Sequence, residues 1–113
     1  MADWLDEIDR EFRRAGQSNH PGRIRTAARR IAGIALRQLP ELQRQDSASG
    51  DYVRNLRLFM EMSEFPEEVR AAAARLQAQL SGDFSSPSKD PIGDAATIVD
   101  FVKEILRRGT SLK

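Results

Sequence analysis

The sequence predicts an all-α protein: four or five helices in a bundle-like single domain around one central helix at about residues 21–39. Three observations carry this. Apolar residues recur at three- and four-residue steps in five separate stretches, and no stretch alternates with period two. Four of the five prolines sit at the edges of those stretches, and Pro87 lies in the linker between two of them. The length, 113 residues, with 40% hydrophobic and 31% charged, suits one domain that builds its core without disulfides or metal.

The first helix opens near Asp3, a good capping residue, and carries Trp4, Leu5, Ile8, Phe12 and Ala15 on one face. Acids crowd its first turns and Arg13 and Arg14 its last, in keeping with the helix dipole. Gly16 ends it, and Gln17 to His20 form the loop. The second helix begins at Pro21, whose missing N–H costs nothing in a first turn. Ile24, Ala28, Ile31, Ala35 and Leu39 form one band, widened by Ala27, Ala32, Ile34 and Leu36. So wide a stripe needs more than one neighbour, which makes this helix central. Pro40 stops or kinks it, and residues 41–45 add a turn at most.

Residues 46–51 read as a loop. A third helix follows from about Asp51 to Ser63, with Tyr52, Val53, Leu56, Phe59 and Met60 on its main face. Pro66, Glu67 and Glu68 open a fourth, which buries Val69, Ala72, Ala73, Leu76 and Leu80 and closes at Gly82. Residues 83–91 are a Ser/Pro/Asp linker, long enough to cross the domain or to move. The last helix, about Ile92 to Arg108, buries Ala95, Ile98, Val99, Val102, Ile105 and Leu106, and Gly109 ends it.

Net charge is +1, so no global field draws the molecule to nucleic acid or anionic lipid. The basic residues are fifteen Arg and three Lys, and Arg favours planar, bidentate pairing. No cysteine is present, which removes thiol chemistry and agrees with a cytoplasmic setting. The N-terminal residues lack a signal-type apolar region. The longest apolar run, Ile31 to Leu36, is far too short for a membrane span. No membrane association, cofactor or metal is expected.

One surface feature stands out. Arg23, Thr26, Arg30, Gly33 and Arg37 follow one another at helical steps and form a ridge flanked by Arg25 and Arg29. Such a ridge suits three things: the acids of the first helix (Asp3, Asp6, Glu7, Asp9), a carboxylate-bearing protein partner, or nucleic-acid phosphates. Trp4 on the terminal helix, and Leu58, Met62 and Phe65 near the third-to-fourth junction, are candidate apolar contacts for a partner or a second copy. Each also suits plain core packing.

Catalytic chemistry has no visible constellation. The lone His20 lies in a Ser-Asn-His-Pro-Gly loop with no carboxylate or nucleophile beside it in sequence. The Glu-x-x-His pairs of di-iron bundles are absent. A helix-turn-helix at the third and fourth helices would present Pro66, Glu67 and Glu68 to DNA, and these repel phosphate. The expected function is therefore a small non-enzymatic protein-interaction or self-associating module, a homodimer among the possible forms. The first alternative is nucleic-acid binding through Arg23, Arg30 and Arg37. The second is a small-ligand sensor with an interhelical pocket, for which Gln38, Asn55 and Thr97 are the candidate polar groups.

Overall fold

A computed structural model describes residues 3–43, 52–78 and 90–111, and these are helical throughout apart from short turns. The elements are α1 (Asp3–Gly16), α2 (Pro21–Leu36), the single turn α3 (Pro40–Gln43), α4 (Tyr52–Met60), α5 (Glu67–Gln77) and α6 (Pro91–Ser111). Among the described residues there is no strand. The radius of gyration, 13.7 Å, is that of a compact chain of this length.

α2 is the hub. It packs against α1, α4, α5 and α6, most extensively against α6. Ile31 through Leu36 are all buried, so the second half of the helix is enclosed on every side. Small residues make this possible. Ala28, Ala32, Gly33 and Ala35 let neighbouring backbones approach, while Ile31, Ile34 and Leu36 fill the remaining space. A Cβ on Gly33 would lie 2.6 Å from the Tyr52 Cβ and 2.8 Å from its Cα. The helix crossing between α2 and α4 therefore rests on a missing side chain.

α2 is shorter than its apolar pattern suggests. The α-helix stops at Leu36, and Gln38 and Leu39 donate instead to carbonyls three residues back, those of Ala35 and Leu36. Pro40 explains the tightening, since a proline disfavours helical geometry in the residue before it. Leu39 and Leu42 remain fully buried beyond the break.

α4 is likewise shorter than expected, ending at Met60. Glu61, Met62 and Phe65 then donate their N–H groups three residues back, which turns the chain into α5. Pro66 has extended ψ and flanks α5 rather than opening it, so Glu67 and Glu68 form the first turn. α6 passes through Gly109 and reaches Ser111. A glycine costs a helix only about 1 kcal/mol. The expected ends of the fourth helix at Leu80 and Gly82 lie outside the described residues. So do the 46–51 loop and all of the 83–91 linker except Asp90 and Pro91, the latter already in α6.

Burial follows the expected faces with two corrections. On α6, Ala95, Ile98, Val99 and Val102 are buried, but Ile105 and Leu106 are only half-buried. On α1, Ile8 and Ala15 are buried, while Trp4, Leu5 and Phe12 are half-buried because α1 has α2 as its one substantial neighbour. An aromatic cluster ties α4, the α4–α5 turn and α6 together. Phe59 stacks on Phe65 at 5.0 Å, and Phe101 meets Phe65 edge-on at 5.5 Å.

Candidate functional site

The α1–α2 hairpin builds an open groove. Its loop is short: Gln17 and Ser18 donate to the carbonyls of Arg14 and Ala15, and Ser18 Oγ accepts from the His20 N–H at 3.1 Å. α2 then starts at Pro21 without a side-chain cap and without an acid in its first turn. The groove has a volume of about 1080 Å³, and its polar lining includes Glu11, Arg14, Arg23, Arg25, Thr26 and Arg30. Ala15, Pro21 and Ala27 supply apolar lining.

Glu11 is the pivot of its electrostatics. The residue is 7% exposed. It accepts a hydrogen bond from Arg14 at 3.2 Å and lies 3.9 Å from Arg30. Arg30 is held on its other side by Tyr52, whose ring centroid is 5.9 Å from the guanidinium carbon. The interaction with Tyr52 and then the Glu11 charge raise the Arg30 pKa above the ordinary arginine value. Arg14 and Arg30 are thus partly neutralised. Arg23 and Arg25 carry no ion pair among the described residues. Four arginines against one glutamate leave the groove at +3.

The arginine ridge is divided by the fold. Arg23 and Arg30 line the groove, with Thr26 between them bonding the Gly22 carbonyl. Gly33 is buried beneath Tyr52, and Arg37 is half-buried in the turn after α2 and is engaged there. Gly33 therefore makes a helix crossing, not a gap between guanidinium groups, and the continuous ridge from Arg23 to Arg37 does not form. Arg29 leaves it altogether. Its Nε donates to the Leu76 carbonyl at 2.5 Å and its Nη2 to the Ala78 carbonyl at 2.9 Å. These are the orphan carbonyls at the end of α5. Burial, and then the nearby Arg25 charge, lower the Arg29 pKa.

The pairing with α1 exists, but through a different acid. Among the described side chains Glu11, not Asp6 or Asp9, meets the arginines, and Glu7 contributes only a weaker field at Arg30; the Asp3 side chain lies outside them. Sequence reading missed Glu11 because it lies in a charged run. Its place two turns from the end of an antiparallel hairpin is the signal that separates it.

The apolar candidates diverge. Phe65 belongs to the aromatic core at 7% exposure, which removes it as a docking residue. Trp4, Leu58 and Met62 pack against the core and are half-buried. Met62 lies in the α4–α5 turn beside the exposed Glu61, Glu64, Glu67 and Glu68. The three sensor candidates do not converge. Gln38 donates to the Ile34 carbonyl, Thr97 to the Gly93 carbonyl, and Asn55 is enclosed in the core. His20 is exposed at the groove mouth.

Among the described residues no group of three or more His, Cys, Asp or Glu side chains has the spacing to hold a metal ion, and no helix is long and apolar enough to cross a membrane. No protein-family model, curated protein or solved structure matches the chain.

Proposed function

We propose that the protein is a non-enzymatic helical interaction module whose α1–α2 groove receives an acidic segment of a protein partner. One observation carries this reading. Arg23 and Arg25 stand without ion pairs on the rim of an open groove whose other arginines are already oriented by Glu11 and Tyr52. Guanidinium groups in that state recognise carboxylates bidentately. The apolar lining from Ala15, Pro21 and Ala27 gives a partner's side chains something to cover.

The modest charge weighs against the nucleic-acid alternative: a groove of +3 neutralises few phosphates, whereas nucleic-acid affinity grows with their number. Homodimer formation is one form of the same protein-docking reading.

The test is an anisotropy titration of labelled oligoglutamate and of a labelled single-stranded DNA of equal charge. The peptide is expected to bind at low salt, and Arg23→Ala with Arg25→Ala to weaken it about tenfold. No peptide binding at low salt, or binding indifferent to the double substitution, overturns the reading. DNA binding that exceeds peptide binding and falls steeply with salt favours the nucleic-acid alternative instead.

A further inference from the structure

The groove has a charge complement on the same molecule. Glu61, Glu64, Glu67 and Glu68 are all exposed and lie close in sequence to the half-buried Met62 where α4 turns into α5. None of the four carries an ion pair among the described residues. The nearest cation in sequence, Arg70, is half-buried and donates its Nε to the Met60 carbonyl at 3.0 Å, closing the end of α4. Residues 61–68 carry four glutamates and no cation, with Arg57 and Arg70 on either side, so the turn is opposite in sign to the groove.

The two patches cannot meet within one molecule. Arg29, one turn beyond Arg25 on α2, holds the C-terminal carbonyls of α5. From there α5 runs back through eleven residues, about 16 Å, before it reaches Glu67. A positive groove and a negative turn thus lie at separate places on the molecule. The groove lining carries Ala15, Pro21 and Ala27 beside its arginines, and the turn carries Met62, half-buried against the core, beside its glutamates.

We infer that the occupant of the groove is the acidic α4–α5 turn, residues 61–68, of a second copy of this chain. This rests on the reading of the groove as a protein-docking site. Each copy offers one groove and one turn, so association either closes as a reciprocal two-fold dimer, groove to turn twice over, or proceeds head to tail into rings or open chains.

Sedimentation velocity on the full chain tests this, with circular dichroism to confirm folding. The wild type is expected to self-associate at low salt as concentration rises, as a dimer or larger species, and to dissociate in high salt. Arg23→Glu with Arg25→Glu removes the groove. Glu61→Lys with Glu64→Lys removes the turn without touching a helix end, and Glu67→Lys with Glu68→Lys is a second version. Each should weaken self-association about tenfold or more. The deciding sample is an equimolar mixture of the groove variant and a turn variant. The intact groove of one and the intact turn of the other should give a 1:1 dimer and nothing larger.

A wild type that stays monomeric, self-association indifferent to both turn variants, or a mixture that stays monomeric overturns the inference. The oligoglutamate titration separates the two levels. If a monomeric wild type still binds that peptide through Arg23 and Arg25, the groove reading stands and self-recognition falls. If it binds neither, both fall.

Discussion

Gly33 illustrates how one residue sets the spacing of two helices. In sequence it sits on the arginine ridge and reads as a gap between long side chains. In the fold it lies under the Cα and Cβ of Tyr52, so any side chain would strike backbone rather than a flexible tip. Gly33→Ala removes a helix-interior glycine, which alone favours the helix by about 1 kcal/mol. Against that, α4 must shift to admit the methyl group, and overpacking of this kind costs about 1–3 kcal/mol. The expected outcome is net destabilisation in urea unfolding. Gly16→Ala, where nothing lies within 4 Å of the new Cβ, serves as the neutral control. The legibility of single residues divides on this line. Pro21, Gly16 and the apolar positions of α2 announce their roles through local spacing. Glu11 and Gly33 acquire theirs from partners in another helix, and nothing local distinguishes Glu11 from Glu7, or Gly33 from a solvent-facing glycine.

Two helix ends in this protein are closed by arginines from another helix. Arg29 of α2 caps the end of α5 across 47 residues of sequence, and Arg70 of α5 caps the end of α4. The bidentate pair of Arg75 with Asp94 then joins α5 to the start of α6. A hydrogen bond from a charged donor contributes about 1.5–3 kcal/mol. Arg29→Ala removes two such bonds and leaves two carbonyls without their donor. It is expected to destabilise the fold by about 3 kcal/mol, with Arg29→Lys recovering only part because an ammonium lacks the planar fork. Equilibrium denaturation measures both. The existence and order of the elements were legible because apolar periodicity and proline punctuation agree. The ends were not, since Pro40 tightens α2 over a full turn before the break. The use of Arg29 as a cap for another helix cannot be read from a pattern that shows only which face it occupies.

Across the molecule, stability is expected to follow the number of neighbours each helix has. α2 is enclosed by four helices, whereas α1 has α2 as its one substantial neighbour. Amide hydrogen exchange should therefore show α1 opening well below the free energy of global unfolding, while residues 31–36 exchange only through it. Equal protection in α1 and α2 would contradict this. The all-α architecture around a central second helix was legible because a stripe as wide as that of α2 has no other physical outcome. The groove and the acidic turn were visible only as charge lists, because the concave shape of the one and the separation of the two arise from how the helices meet. The same arrangement has a practical consequence for spectroscopy. The chain holds one tryptophan and one tyrosine. Trp4 rides on α1, and Tyr52 lies over Gly33 at the crossing of α2 and α4. Nature has thus installed two intrinsic fluorophores at two different joints, so emission at each wavelength reports the loosening of its own contact without any label.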